Sequence, residues 1–406
     1  MNMFIKIGYR NLFRNRRRSF LTSAVIGLGL AAMIITDGFL GGMNEHMVSQ
    51  ITGSLVTEGQ IHHPKFRDSF RAEYQILNTD HVEEILNHDP QVETFAKRVI
   101  TSGMISSPSS MKNTTFYGIQ PDNERKISDI YKYLVEGSYV SDESSLLIGS
   151  ELQKRLEVVP GDKVVVTVAK ADTGEISQEM MRVSGIITSG SKEIDEKTVF
   201  IHISKARNLL GIGNSTHEIG IKFRERAVGD HPSYALWNKL KKTGNSAESW
   251  KEIVSGFVSM MSMMDQSKAI IALSLMFLVA LGIMNTLFMA LYERMFEFAV
   301  LRAVGTKSHE IVLMIISEAG ALSFLSIFAG FLIAAFLAIP MHYLGLNFSG
   351  VEFADVTFHE PVRFDFSWNQ VTFFPLITFI FTVLVGLYPA IHAARIKVAQ
   401  ALKRSL

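Results

Sequence analysis

Four stretches of this sequence are nearly free of charge, and each is long enough to cross a bilayer. Spanning about 30 Å of hydrocarbon as an α-helix takes about 20 mostly apolar residues. Runs of that size lie between Arg18 and Asp37 and on to about Met43, from Ala269 to Tyr292, from about Ile311 to Tyr343 with Glu318 inside, and from about Val371 to Ile391. The chain is 48% hydrophobic and 19% charged over 406 residues, too apolar for a purely soluble protein and too charged for a wholly buried one. A mixed chain is expected, with four spanning helices and one large α+β domain outside the membrane.

Lysine and arginine near the span ends set orientation, because they are retained on the cytoplasmic side. Lys6, Arg10, Arg14, Arg16, Arg17 and Arg18 precede the first span. Arg294, Arg302 and Lys307 lie between the second and third, and Arg395, Lys397, Lys403 and Arg404 follow the fourth. The connection between the third and fourth holds only Arg363. Both termini and the 293–310 loop are therefore expected on the cytoplasmic side, with 44–267 and 344–370 facing outward. The first run has basic residues ahead of it, as a signal peptide would. It is longer than a typical h-region and no small-x-small site follows, so an uncleaved anchor is expected.

The segment 44–267 reads as globular α+β sequence of a size suited to two subdomains. Strands are expected at Lys163–Ala169, Met181–Ile187 and Thr198–Ile203, which are rich in β-branched residues and bounded by Gly, Asp and Ser. Helices are expected at His81–Asn87, which Thr79 or Asp80 could cap, at Ser150–Leu156 and at Pro232–Lys242. Val159-Pro160-Gly161-Asp162 is a turn leading into a strand.

Enzymatic chemistry finds little support. Without cysteine there are no disulfides, thiolate metal sites or thiol nucleophiles. His62, His63 and His81 lack metal-ligand spacing with carboxylates, and no Ser-His-Asp order is recognisable. No catalytic residue and no metal site is expected. The sequence has no G-x-x-x-x-G-K-[ST] phosphate loop; Gly161-Asp162-Lys163 is only a turn. A net charge of +1 gives no reason to expect nucleic acid.

Two segments carry the most information: Asn285 to Glu318, NTLFMALYERMFEFAVLRAVGTKSHEIVLMIISE, and Tyr388 to Leu402, YPAIHAARIKVAQAL. Glu293, Arg294 and Glu297 emerge where the second span ends. Phe296, Ala299, Val300, Ala303 and Val304 recur with helical spacing, and Gly305 follows as a helix-ending glycine. A short amphipathic helix lying at the inner surface is expected over 293–306. Both segments resemble the FtsX-like permeases of the MacB and LolC/LolE type, which combine an ER-x-x-E-x-x-x-L-R-A-x-G block with a YPA-x-x-A-x-R-I tail. Ile148-Gly149-Ser150-Glu151-Leu152, Leu156 and Pro160-Gly161-Asp162-Lys163 look like that family's G-x-x-L…L…PGD-x-V pattern. Ser249-Trp250-Lys251-Glu252 looks like its SW-x-E segment, and Arg10-Asn11-Leu12 with Arg18-x-x-Leu21-Thr22 like its entry to the first span.

The resemblance implies a type VII ABC permease. Its parts would be an amphipathic N-terminus with the first span (1–43), a periplasmic domain (44–267) and an FtsX-like transmembrane region (268–406). Within the periplasmic domain it implies a porter-like part, 44–137 and 218–267, around a β-rich, Sabre-like insertion, 138–217. Within the transmembrane region it implies spans at 269–292, 311–343 and 371–391, a periplasmic loop at 344–370 and a cytoplasmic tail at 392–406. Glu293, Arg294, Glu297, Leu301, Arg302 and Gly305 would form the coupling helix that docks on a cytoplasmic ATPase dimer. That ATPase, holding ATP and Mg, would be a separate polypeptide, and this chain would bind no cofactor itself. A second permease copy or paralogue would complete the assembly in a bacterial inner membrane. Mechanotransmission would then extract lipoproteins toward a periplasmic carrier. Export of hydrophobic compounds or peptides through a periplasmic adaptor, and activation of a cell-wall hydrolase, are the alternatives.

Inside the spans, Glu318 reads as pairing within the bundle or with the coupling region, and Asn285 as an interhelical hydrogen-bond donor. Asp37, near the outward end of the first span, reads as simply solvated. Gly27, Gly29, Gly38, Gly41 and Gly42 would allow close helix approach, consistent with a dimer contact. Phe257, Met260, Met261, Met263 and Met264 crowd the approach to the second span and are candidates for lining a lipid or cargo cavity; the same cluster also reads as an ordinary packed helix.

Overall fold

The computed structural model describes residues 16–348, 352–353, 356–357 and 361–395. Lys6, Arg10-Asn11-Leu12, Arg14, the tail beyond Arg395 and part of the 344–370 loop lie outside the described residues. The chain divides into two compact units: one of Met1–Glu45, Met261–Asn347 and Pro361–Leu406, the other of His46–Met260 and Phe348–Glu360.

The membrane unit is built on helices α1 (Arg16–Thr52), α2 (Ser255–Glu293), α3 (Met295–Ala303), α4 (Ser308–Leu344) and α5 (Phe373–Ala394). All but α3 are long and apolar enough to cross a membrane. α1 continues past Met43 to Thr52, and α2 begins at Ser255 rather than Ala269. The charge-free pattern marks what lipid can cover. A nucleated helix runs on beyond it, because each further residue adds a backbone hydrogen bond.

Within this unit the glycines of α1 are occupied by the chain itself, which corrects their assignment to a dimer contact. A Cβ at Gly27 would stand 2.9 Å from the Ser326 carbonyl oxygen and 3.1 Å from Gly330 N of α4. A Cβ at Gly29 would overlap Val279 of α2, and one at Gly38 would overlap the Phe364 ring. Lipid tails are as apolar as leucine, so helices associate through close van der Waals contact, which small residues permit. Ile26, Val279, Ile283, Leu287, Ala319 and Leu322 fill the resulting core.

The segment 361–370 packs on the same face of α1. Asp365 N donates to the Gly38 carbonyl oxygen at 3.0 Å, His342 Nδ1 lies 2.8 Å from the Phe364 carbonyl oxygen, and Gln370, itself buried, donates to Asp37 Oδ2 at 3.0 Å. Asp37 is therefore a hydrogen-bond acceptor inside this packing and not simply a solvated residue.

The other unit is a mixed α+β domain. Its strands are β1 (Gly59–His62), β2 (Val92–Ser106), β3 (Met111–Ile119), β4 (Leu134–Gly137), β5 (Ser145–Gly149), β6 (Lys163–Ala169), β7 (Ile176–Ile187), β8 (Thr198–His202), β9 (Glu218–Phe223) and β10 (Ser246–Ser249). Their order is β10-β1-β9-β2-β3-β8-β5-β7-β4, and β6 pairs with both β7 and β2. That double pairing closes β2, β3, β8, β5, β7 and β6 into a six-stranded barrel. Alternate residues such as Val164, Val166 and Val168 on β6 and Met181 and Val183 on β7 fill its interior. The antiparallel strands β10, β1, β9 and the first half of β2 form an open sheet. Helices Thr79–His88 and Ala235–Lys241 cover it through Val82, Leu86, Leu236 and Leu240.

β2 serves both parts, so the barrel takes strands from within 44–137 as well as from 138–217. The switch falls at Arg98, which pairs with Glu218 on β9 and with Ile119 on β3. Its guanidinium is fully buried, donating to Glu124 at 2.6 and 3.1 Å, to Glu218 at 2.7 Å and to the Leu55 carbonyl oxygen.

Candidate functional site

The break between α2 and α3 falls at Arg294, whose backbone (φ −108°, ψ 12°) leaves the helical region. The turn lets the short α3 leave the line of α2, and its ends are set by local chemistry. At the far end Gly305 has φ +106°, which side-chain-bearing residues rarely adopt. Gly305 N donates to the Arg302 carbonyl oxygen at 3.1 Å and Thr306 N to that of Leu301 at 3.0 Å. This is the paired closure of a Schellman motif, so the expected helix-ending glycine does end α3. α4 starts at Ser308, where Glu310 accepts from the backbone N–H of Lys307 at 2.8 Å.

Two arginines brace α3. Arg294 is largely buried; its Nε donates to Glu297 Oε2 and its Nη1 to Glu318 Oε2, both at 3.0 Å, and its guanidinium lies 5.1 Å from the Phe298 ring centre. Glu318, the carboxylate inside the third span, is thus paired with a residue of the α2–α3 turn. Arg302 Nη1 donates to the carbonyl oxygen of Ala394, the last residue of α5, at 2.6 Å. A cation there also suits the negative end of a helix dipole. Beneath these bonds Phe298 joins Leu291, Ile311, Met314, Ile315, Ala390 and Ala393 in one buried cluster. α3 is therefore fastened to both α4 and α5.

The apolar set expected on α3 is mostly exposed. Of Phe296, Ala299, Val300, Ala303 and Val304, only Ala299 is buried. Phe298, outside that set, is the main anchor, while Phe296, Val300, Leu301 and Val304 are exposed, Val304 by 82%. The helix is apolar on two faces, and periodicity alone does not say which one packs. Glu293 and Glu297 border the outward face.

The remaining expected residues all lie on α2. Asn285 is exposed on α2, with no hydrogen-bond partner among the described residues. Phe257, Met260, Met261 and Met264 recur at helical spacing along α2 and are half-buried, while Met263 is 66% exposed. Among the described residues no cluster of His, Asp and Glu side chains is placed to hold a metal.

A membrane bundle with a braced surface helix between its second and third spans, carrying one large mixed α+β domain, defines the class. Residues 19–230 match the MacB-like periplasmic core domain and residues 269–398 the FtsX-like permease C-terminal region. The chain is 20% identical to the lipoprotein-releasing system transmembrane protein LolC of Neisseria meningitidis, over 98% of each chain. It is 22% identical to the macrolide export ATP-binding/permease protein MacB 2 of Aeromonas hydrophila, over 97% of this chain and 59% of that one. The periplasmic region of MacB from Actinobacillus actinomycetemcomitans matches with a TM-score of 0.35 and 14% identity, covering 49% of this chain and 91% of that structure. The chain belongs to the family of ABC permeases that join a MacB-like periplasmic core domain to an FtsX-like C-terminal region.

Proposed function

We propose that this chain is the force-transmitting permease of an ATP-driven complex that releases lipoproteins from the outer leaflet of a bacterial inner membrane. The observation that carries the reading is α3: a short helix tied by Arg294 to α4 and by Arg302 to α5, presenting the apolar side chains Phe296, Val300, Leu301 and Val304 outward. A helix held on two sides passes a push to the bundle instead of absorbing it. An exposed apolar face on such a helix suits a protein partner. In this reading the partner is a cytoplasmic ATPase dimer, which holds ATP and Mg, and both termini lie on its side of the membrane. A second permease copy or paralogue completes the complex, and a periplasmic carrier receives the cargo. Similarity to LolC along nearly the whole of both chains supports lipoprotein as the cargo class.

The test is Leu301→Asp and Val304→Asp, two surface changes that leave Phe298 and both arginine contacts in place. Each should abolish cargo release and cargo-stimulated ATP hydrolysis while the chain remains inserted. Undiminished release in both variants rejects the coupling role. Copurification of hydrophobic small molecules instead of acylated protein rejects the cargo class.

A further inference from the structure

A slot of about 440 Å³ opens in the side of the membrane unit, within the roughly 300–1,000 Å³ typical of small-molecule sites. α1 contributes Met33 and Asp37 to its walls, α2 contributes Lys268, Ala272 and Met276, and α5 contributes Phe374. Lys268, Ala272 and Met276 recur every four residues, so one face of α2 forms a wall. From Lys268 to Met276 that wall runs about 12 Å at about 1.5 Å per residue. Asp37 and Lys268 are the slot's charged wall residues, and apart from Thr36 and Asn369 the rest of the lining is apolar.

We propose that this slot holds an acyl chain of a zwitterionic membrane phospholipid, with its phosphate at Lys268 and its ammonium group at Asp37. An apolar cavity does not hold water well, and in a bundle of spanning helices the available filler is lipid. Charged groups in such a setting seek partners. Lys268 pairs at 3.3 Å with Asp265, but Asp265 is 65% exposed, and exposed pairs contribute little, so the ammonium is not locked there. Asp37 receives Gln370 at 3.0 Å and Ser367 at 3.4 Å, both on Oδ2, which leaves Oδ1 its capacity to accept. One cation on α2 and one anion on α1 complement a head that carries both signs. A purely anionic head answers Lys268 alone and adds a negative charge beside Asp37. The inference rests on the spanning helices and stands apart from any role of α3.

The full-length protein is reconstituted in nanodiscs of equal phosphatidylethanolamine and phosphatidylglycerol, then extracted in mild detergent, and its retained lipid is measured by native mass spectrometry. Phosphatidylethanolamine should be retained by the parent and by Lys268→Arg. It should fall about ten-fold in Lys268→Glu, as loss of a charge-assisted contact implies. It should also be lost from Ala272→Trp, which fills the slot. A photoreactive benzophenone side chain introduced at Met276 should yield an adduct of phospholipid mass, a readout that does not depend on the Trp variant folding. Equal retention of phosphatidylglycerol, or retention unchanged in Lys268→Glu, overturns the proposal. So does an adduct to an acylated protein or to a second copy of this chain.

Discussion

Arg294 and Glu318 meet at 3.0 Å across 24 residues of sequence, joining the turn before α3 to the interior of α4. Removing one member of such a half-buried pair strands the other charge, and a hydrogen bond to a charged group contributes about 1.5–3 kcal/mol. Arg294→Met should therefore destabilise the membrane unit by about that much. The double variant Arg294→Met/Glu318→Leu should be less harmful than the two single changes combined, because neither charge is then left alone. Thermal unfolding of the detergent-solubilised protein, analysed as a double-mutant cycle, measures the coupling. Simple additivity would show that the pair does not hold the turn.

Gly38 and Phe364 give a second expectation. The ring occupies the space of the missing Cβ, so Gly38→Leu cannot keep segment 361–370 seated. Overpacking of this kind costs about 1–3 kcal/mol. The Gln370 bond to Asp37 should be lost with it. A cysteine replacing Asp365 would then react faster with a membrane-impermeant maleimide in the Gly38→Leu background. Equal labelling rates in both backgrounds would mean that the segment does not depend on this contact.

Local features were legible in the sequence because short-range physics decides them. β6 and helix Ser150–Leu156 have the expected ends, the first three spans lie within α1, α2 and α4, the fourth overlaps α5 from Phe373 on, and Gly305 closes α3. What the sequence hid depends on long-range partners. The barrel closes because β6 returns to β2, a pairing that no local pattern encodes. Glycines on α1 announce a close approach but not which surface approaches, and the answer came from Ser326, Val279 and Phe364. On α3, periodicity marked an apolar set but not Phe298, which lies outside it and packs against α4 and α5. The polar signal was Arg294 itself, an arginine at the membrane exit that needed a carboxylate.

Arg98 marks where the open sheet becomes the barrel. Burial alone would lower the pKa of its guanidinium, but the carboxylates of Glu124 and Glu218 outweigh that and hold it charged. Arg98→Met leaves two buried carboxylates without their cation and should cost about 3–5 kcal/mol. Arg98→Lys should recover only part of this, because an ammonium cannot reproduce the fork that reaches Glu124 twice and Glu218 and Leu55 besides. Urea unfolding followed by the fluorescence of Trp237 and Trp250, which lie in this unit, reports the loss. Full stability in Arg98→Lys would show that charge, not geometry, is what matters at this junction.

His217 should make the α+β unit sensitive to acid. Its Nδ1 accepts from the backbone N–H of Ile100 at 3.0 Å, its Nε2–H donates to the Ala72 carbonyl oxygen at 2.9 Å, and its ring stacks on Phe66. A proton on Nδ1 would face a donor with a donor, and burial lowers the pKa further below the ordinary value of about 6.5. The unfolded chain therefore binds a proton that the folded one refuses. The stabilisation is fully present above pH about 6.5 and declines as pH falls toward the folded-state pKa, by at most about 1.4 kcal/mol per pH unit for one proton. Exchange protection of the Ile100 amide, corrected for intrinsic rates, should fall between pH 7 and 5 in the parent. The decline should be shallower in His217→Gln, which has no proton to gain. Parallel profiles for the two proteins would assign the acid sensitivity to other groups.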